Sequence, residues 1–316
     1  MQKQKMIVVL GPTATGKSKL AVKLAKKISA RGGPAFGWNG AEIISADSRQ
    51  IYRGLNIGTG KITKKEMGGV PHYLLSVVSL KKQFTAVDYQ KRAARAVTNI
   101  VRRGKIPIIC GGTGLYIDSL IYNYKLPHVE INRKLRGVLE KKSTAELFRK
   151  LRKLDPKRAK NIDRNNPRRL VRALEIVLET KQKIQNMPQK ISQFNVLKIG
   201  IKKNQAELKK RIEKRVNTWI KEGLEEETRK ISKQISQKRI KELGFNYSLS
   251  YFYLKNRTSK PELIQKLRQE NWRYARRQMT WFKRDKEIKW IKSENEAEQL
   301  IAEFLNQKPR QGRRGN

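Results

Sequence analysis

Cysteine and histidine are nearly missing from this 316-residue sequence: Cys110 is the sole cysteine, and His72 and His128 are the two histidines. One thiol builds no disulfide framework, and one thiol with two imidazoles argues against a Cys/His zinc centre. Acidic residues are scarce too, 27 Asp and Glu against 73 Lys and Arg, a formal charge of +46. Such an excess points to a polyanionic partner, RNA or DNA first, with plain Lys-rich solubility as the alternative. No apolar run approaches the length of a membrane span, and no apolar leader precedes the first strand pattern. A cytoplasmic protein with no membrane attachment and no obligate protein partner is expected.

What the sequence does hold is the octapeptide Gly11-Pro12-Thr13-Ala14-Thr15-Gly16-Lys17-Ser18. It follows the apolar run Met6–Leu10 and precedes a helical pattern, the strand, loop, helix context of a P-loop. Backbone N–H groups, the positive end of the next helix and the Lys17 ammonium would converge on phosphate oxygens, with the Ser18 hydroxyl free to ligate Mg²⁺. Mg²⁺ is the expected metal.

Apolar periodicity predicts strands at Met6–Leu10, Ala41–Ser45, Tyr73–Val78, Ile106–Cys110, Val196–Ile201 and Glu287–Ile291. Helices are expected over Lys17–Ile28, Val87–Arg103, Gln205–Glu222 and Lys260–Arg284, the last opening on the capping box Ser259-x-x-Glu262. Residues 31–40, with four glycines and a proline, read as a mobile loop. Strands alternating with helices imply an α/β fold, a P-loop NTPase-like parallel sheet core flanked by helices. Between about 127 and 195 the pattern is helical only: Arg133–Glu140, Ser143–Leu154 and Asn166–Thr180. The expected organisation is a split core, 1–126 with 196–307, an all-helical insertion domain, 127–195, and a basic disordered tail, 308–316.

Three clusters compete for chemistry around the P-loop. Asp47-Ser48-Arg49-Gln50 follows the second strand, at the carboxyl end where ligands of open α/β sheets gather. Asp47 suits a Mg²⁺ partner or a general base, or else an N-cap for the segment from Ser48. Gly111-Gly112-Thr113-Gly114 allows close backbone approach and offers the Thr113 hydroxyl, or is a tight turn alone. The helix around Arg276 sets Leu263, Leu267, Tyr274, Gln278 and Trp281 on one stripe and Arg273, Arg277 and Arg284 on another. The strand before Gly111 lacks a terminal aspartate, which argues against a motor-type ATPase. In the insertion, Ile131–Leu170 holds 15 Lys and Arg against 4 Asp and Glu, as suits a polynucleotide; Arg168, Arg169 and Arg172 are phosphate-contact candidates, with ion pairing to Glu175 as the alternative.

Taken together these motifs resemble the tRNA dimethylallyltransferase (tRNA isopentenyltransferase) family. The likeness rests on Gly11–Ser18, on Ile44–Gly54 with Ile57-Gly58-Thr59, on Val70-Pro71-His72, on Gly111–Tyr116, on Asn166–Glu175 and on Arg273–Phe282. The resemblance implies transfer of a dimethylallyl group from dimethylallyl diphosphate to N6 of the adenosine 3′ of the anticodon (tRNA position 37), releasing pyrophosphate. It implies catalytic roles for Asp47, Thr113 and Lys17. It also implies tRNA contacts from Asp47, Ser48, Arg49, Gln50 and Thr113, from Arg136, from Arg168, Arg169, Leu170, Val171 and Arg172, and from Lys241 and Asn246. To these the basic helix adds Arg276 and Arg277. The chain departs from the family pattern at Gly244-Phe245-Asn246, where Gly-Tyr and a basic residue are usual, and at Asn56, where Asp is usual. Prenylation of free adenine nucleotides, a P-loop kinase and a non-catalytic RNA binder are the competing readings.

Overall fold

The computed structural model describes residues 3–31, 38–125, 127, 129–130, 132–180 and 192–306. The expected loop 31–40 therefore lies largely outside the described residues, and the expected tail 308–316 wholly so. Contacts divide the chain into Met1–Asn123 with Ser192–Asn316 and a second unit, Tyr124–Ile191. The insertion thus begins and ends a few residues earlier than its sequence boundaries of 127 and 195.

The first unit is built on strands β1 (Lys5–Leu10), β2 (Ala41–Ala46), β3 (His72–Tyr73), β4 (Ile106–Gly111), β5 (Asn195–Ile201) and β6 (Lys289–Ile291). They form one sheet in the order β3-β2-β4-β1-β5-β6, every pair parallel. All strand ends of one polarity therefore face the same edge, and Gly11, Asp47 and Gly112 follow β1, β2 and β4 there. β1, β2 and β4 are apolar and almost wholly buried, as befits a parallel sheet covered on both faces. The expected strand Tyr73–Val78 is cut to two residues plus an isolated Tyr52–Val78 bridge. Leu74 and Ser76 take φ of 62° and 53°, and a left-handed residue cannot continue a ladder.

Helices α1 (Lys17–Arg31), α2 (Lys64–Met67), α3 (Ala86–Arg102) and α4 (Gly114–Ile121) belong to this unit. α1 buries Leu20, Ala21, Leu24, Ala25 and Ile28, the stripe expected from its spacing, against β1, β2 and β4. α3 starts on a capping box between Thr85 and Asp88.

The second unit contains α5 (Arg133–Leu139), α6 (Thr144–Leu154), α7 (Pro156–Asn161) and α8 (Pro167–Thr180). Leu139, Leu147, Leu151, Leu170, Val171 and Leu174 make its core. Leu170 and Val171, expected among the tRNA contacts, are buried, and both side chains are used for packing. Glu175, fully buried, accepts from both Nε and Nη2 of Arg136 at 2.8 Å, from Arg172 and from the Asn132 N–H. Burial alone would raise its carboxyl; the two guanidinium groups outweigh that and hold it below the ordinary carboxylate range. Arg136 and Arg172 thus serve an internal ion pair, whereas Arg168 and Arg169 stay exposed with no ion pair among the described residues.

The chain then returns to the first unit with α9 (Gln205–Lys221), α10 (Leu224–Ser232), α11 (Gln237–Leu243), α12 (Phe245–Leu254), α13 (Lys260–Phe282) and α14 (Glu294–Asn306). α13 opens on the expected Ser259–Glu262 capping box. The short helices α10–α12 were not foreseen. Of these, α10 and α12 pack on the 3₁₀ turn Ile57–Thr59, which no apolar periodicity announces.

Candidate active site

The P-loop runs from the end of β1 into α1. Gly16 holds φ at +90°, a conformation that needs glycine, and Ala14 is held left-handed at 65° by the same wrap. Thr15 Oγ1 donates to Pro12 O at 2.9 Å and closes the loop on itself. Lys17 Nζ, 3.3 Å from the same carbonyl, lies over the concave side. Burial lowers the Lys17 pKa; Cys110 and Asp47 oppose that, and Arg215 reinforces it. Ser18 stands second in α1 beside Cys110, whose thiol burial drives up to about 11.

Asp47 stands immediately beyond β2. Its Oδ1 accepts from the N–H groups of Arg49 (2.8 Å) and Gln50 (3.2 Å), so the capping role foreseen as an alternative is real. One oxygen caps; the other, Oδ2, accepts nothing from the described residues. Lys17, Lys61 and Arg215 each lie near enough to feel the Asp47 charge. Lys61 donates to Tyr52 O at 2.7 Å and Ser76 Oγ at 2.8 Å, and burial pushes its ammonium down to about 8. Glu227 also acts on Lys61 and Glu66 on Arg215, while Lys17 and Arg215, the two cations beside the P-loop, suit an anionic phosphate.

Thr113 joins the two neighbouring loops. Its N–H donates to Ala46 O, and its Oγ1 accepts the Ser48 N–H, both at 3.1 Å. The Tyr274 hydroxyl lies beside the same side chain, and burial, helped by Asp47, pushes Tyr274 up to about 12. The structure therefore brings Lys17, Asp47 and Thr113 together, as the sequence reading expected.

Several residues around them were not foreseen. Arg215 of α9 donates to Thr13 Oγ1 at 3.1 Å, and burial depresses its pKa, with Asp47 and Glu66 opposing. Gln278 of α13, 6 % exposed, accepts from Thr13 N–H at 2.8 Å and donates to Gly112 O at 2.9 Å. Glu227 of α10 accepts the N–H groups of Asn56, Ile57 and Gly58 and the Tyr247 hydroxyl. It thereby holds the 3₁₀ turn whose last residue, Thr59, and the following Gly60 accept the Gln50 amide through their carbonyls.

The remaining expected contact residues have varied surroundings. Arg49 reaches Glu242 O at 2.9 Å. The Asn246 amide spans Gly58 O and Asn271, so both its polar ends have partners within the chain. Phe245, at the position where tyrosine is usual, packs its ring 6.0 Å from that of Tyr274. Lys241 lies over the Phe252 ring and Arg277 over that of Tyr274, while Arg276 is exposed on the rim of a cavity of about 530 Å³ that Pro12 and Trp272 also line. No group of three or more His, Cys, Asp or Glu could hold a metal ion among the described residues. Nor is any described helix long and apolar enough to cross a membrane.

The family model described as IPP transferase matches residues 50–285. The tRNA dimethylallyltransferase of Anoxybacillus flavithermus is 38 % identical over 280 residues, spanning 88 % of this chain and 86 % of that one. That of Staphylococcus epidermidis is 38 % identical over 291 residues, with 89 % and 84 % covered. Among solved structures, the tRNA isopentenylpyrophosphate transferase of Bacillus halodurans superposes with a TM-score of 0.70 at 35 % identity, covering 96 % of this chain and 97 % of that one. A eukaryotic dimethylallyltransferase, solved in a study of its action on tRNA, shares the fold with a TM-score of 0.79 at 24 % identity, covering 98 % of this chain and 82 % of that one.

Proposed function

This chain belongs to the IPP transferase family of tRNA dimethylallyltransferases, and from that premise we propose how its cradle works: it binds dimethylallyl diphosphate and delivers the prenyl group to N6 of the adenosine 3′ of the anticodon. The observation that carries this reading is the pairing of a carboxylate oxygen to which no described residue donates, Asp47 Oδ2, with a phosphate cradle containing Lys17 and Arg215 beside it.

The steps follow from those positions. The P-loop amides, Lys17 and Arg215 hold the diphosphate, and the adenine amine approaches from the Asp47 and Thr113 side. N6 bonds to C1 of the prenyl group as the C1–O bond breaks and pyrophosphate departs. The proton lost from N6 goes to Asp47 Oδ2, while the growing charge on the leaving oxygen meets the fixed cations. An exocyclic amine is a weak nucleophile, so removing its proton as the bond forms lowers the barrier. Reaching this site requires the adenosine to leave its stack, which costs a few kcal/mol at most in an anticodon loop.

Ser18 suits Mg²⁺: its hydroxyl is a hard oxygen donor directly after Lys17 at the end of the P-loop, and Mg²⁺ takes most of its ligands from phosphates and water. Bound there, the ion would neutralise diphosphate charge. The exposed arginines Arg168 and Arg169 are assigned to tRNA phosphates, together with Arg276 and Arg277. A cytoplasmic monomer that needs no protein partner fits this activity.

The decisive assay combines protein, Mg²⁺, dimethylallyl diphosphate and unmodified tRNA, with nucleoside mass spectrometry as the readout. N6-isopentenyladenosine should appear, and substituting ATP for the prenyl donor should give no product. Prenylated free AMP with unmodified tRNA left untouched would instead favour the nucleotide prenyltransferase. Arg168→Ala should weaken tRNA binding at every sequence alike and lower the slope of log K against log salt by about 1. An unchanged slope would remove Arg168 from the RNA surface.

A further inference from the structure

One face of α13 meets the loop that carries Thr113 at three successive points. Tyr274 lies beside the Thr113 side chain, Gln278 donates to Gly112 O, and Trp281 packs on Gly114 while donating to Asp118 Oδ2 at 3.0 Å. Residues at i, i+4 and i+7 lie along one stripe of a helix, so a rigid element reads off the loop at fixed intervals. The close fit is visible in the glycines: a Cβ on Gly112 would lie 2.1 Å from Gln278 Nε2, and one on Gly114 2.2 Å from the Trp281 ring.

Of the three, Gln278 also reaches the other loop. Its Oε1 takes the Thr13 N–H, in the middle of the P-loop, while its Nε2 serves Gly112 O. A neutral amide suits this post because one end must accept and the other donate. Buried as it is, the group has no water to substitute for either partner.

We propose that Gln278 is a positioning residue that sets the separation between the donor cradle and the acceptor loop. The inference rests on the prenyl-transfer reading, in which the P-loop holds the diphosphate and Thr113 flanks the adenine. Neither bond of Gln278 is needed to bind one substrate alone. Both are needed to hold the two reacting atoms at attack distance, where a misplacement of about 1 Å costs about 10²-fold in rate.

Gln278→Leu keeps the size of the side chain and removes both polar ends; Gln278→Asn keeps the amide but is one methylene too short to span the gap. Each is compared with the unaltered protein in single-turnover transfer, in separate binding of pyrophosphate and of tRNA, and in thermal melting. The expected result is a fall of about 10²-fold in the transfer rate for Gln278→Leu. Gln278→Asn should fall between, and both binding constants should stay within about threefold. A rate within threefold of the unaltered protein for either variant would overturn the proposal. So would a rate loss matched by an equal loss of both binding affinities, which marks a structural role only. If the unaltered protein itself transfers no prenyl group, the functional reading fails first, and intact pyrophosphate binding in that protein identifies the case.

Discussion

Asp47→Ala should lower single-turnover prenyl transfer by about 10³-fold while tRNA affinity changes by less than about threefold. General-base assistance typically supplies about 10²–10⁴-fold, and Asp47 is placed for it by a division of labour between its two oxygens. Oδ1 is committed to the Arg49 and Gln50 amides, which fixes the carboxylate on its turn; Oδ2 is left for the substrate proton. The alanine variant removes both functions, so Asp47→Asn is the sharper test. An asparagine can still accept the two amides through Oδ1, yet it cannot take a proton. The asparagine variant should therefore bind tRNA normally and transfer almost as slowly as the alanine variant. Full turnover in Asp47→Asn would show that another group accepts the proton.

Arg215→Ala should reduce transfer by about 10²-fold, the usual loss when one preorganised donor to a developing anion is removed. Arg215 is half-buried beside Lys17, with Asp47 and Glu66 exerting only an opposing pull on its depressed pKa. Such a cation is unfavourable in the empty protein and is relieved when a diphosphate arrives. Two consequences separate this role from a structural one. Without ligand, Arg215→Ala should melt at the same temperature as the unaltered protein or higher. With excess pyrophosphate, the unaltered protein should gain more stability than the variant, because ligand stabilisation follows RT ln(1 + [L]/Kd). Arg215→Lys keeps charge without the fork and should recover part of the rate. A variant that melts lower without ligand and gains equally from pyrophosphate would make Arg215 a structural residue.

The core of this site is written locally in the sequence, whereas its surroundings are written across distance. The P-loop, Asp47 and Thr113 each follow a strand directly, so the parallel sheet order alone brings them to one edge. Arg215, Glu227 and Gln278 lie on helices that begin at Gln205, Leu224 and Lys260, far beyond the P-loop, where no short motif points to their partners. A partial signal exists in periodicity. Leu208, Ile212, Val216 and Trp219 form the buried stripe of α9, and Arg215 sits among them rather than on the Lys-rich face. Gln278 likewise interrupts the buried series Leu263, Leu267, Ala275 and Phe282 on α13. A polar residue on an apolar stripe has a buried partner to satisfy. What periodicity could not reveal is which partner, or that Asn246 and Arg136 would find theirs inside the chain.

The single cysteine has a practical side. Cys110 is 7 % exposed and its thiol is pushed up to about 11, so at neutral pH it offers almost no thiolate to a maleimide. Gln4, by contrast, is an exposed residue just ahead of β1, at the edge of the sheet opposite the three loops. With about 3.3 Å per residue, a dye on Gln4→Cys would stand roughly 20 Å from the start of the P-loop. The molecule is thus ready for one-colour labelling without first removing a native thiol, at a distance suited to energy transfer from a fluorescent anticodon loop.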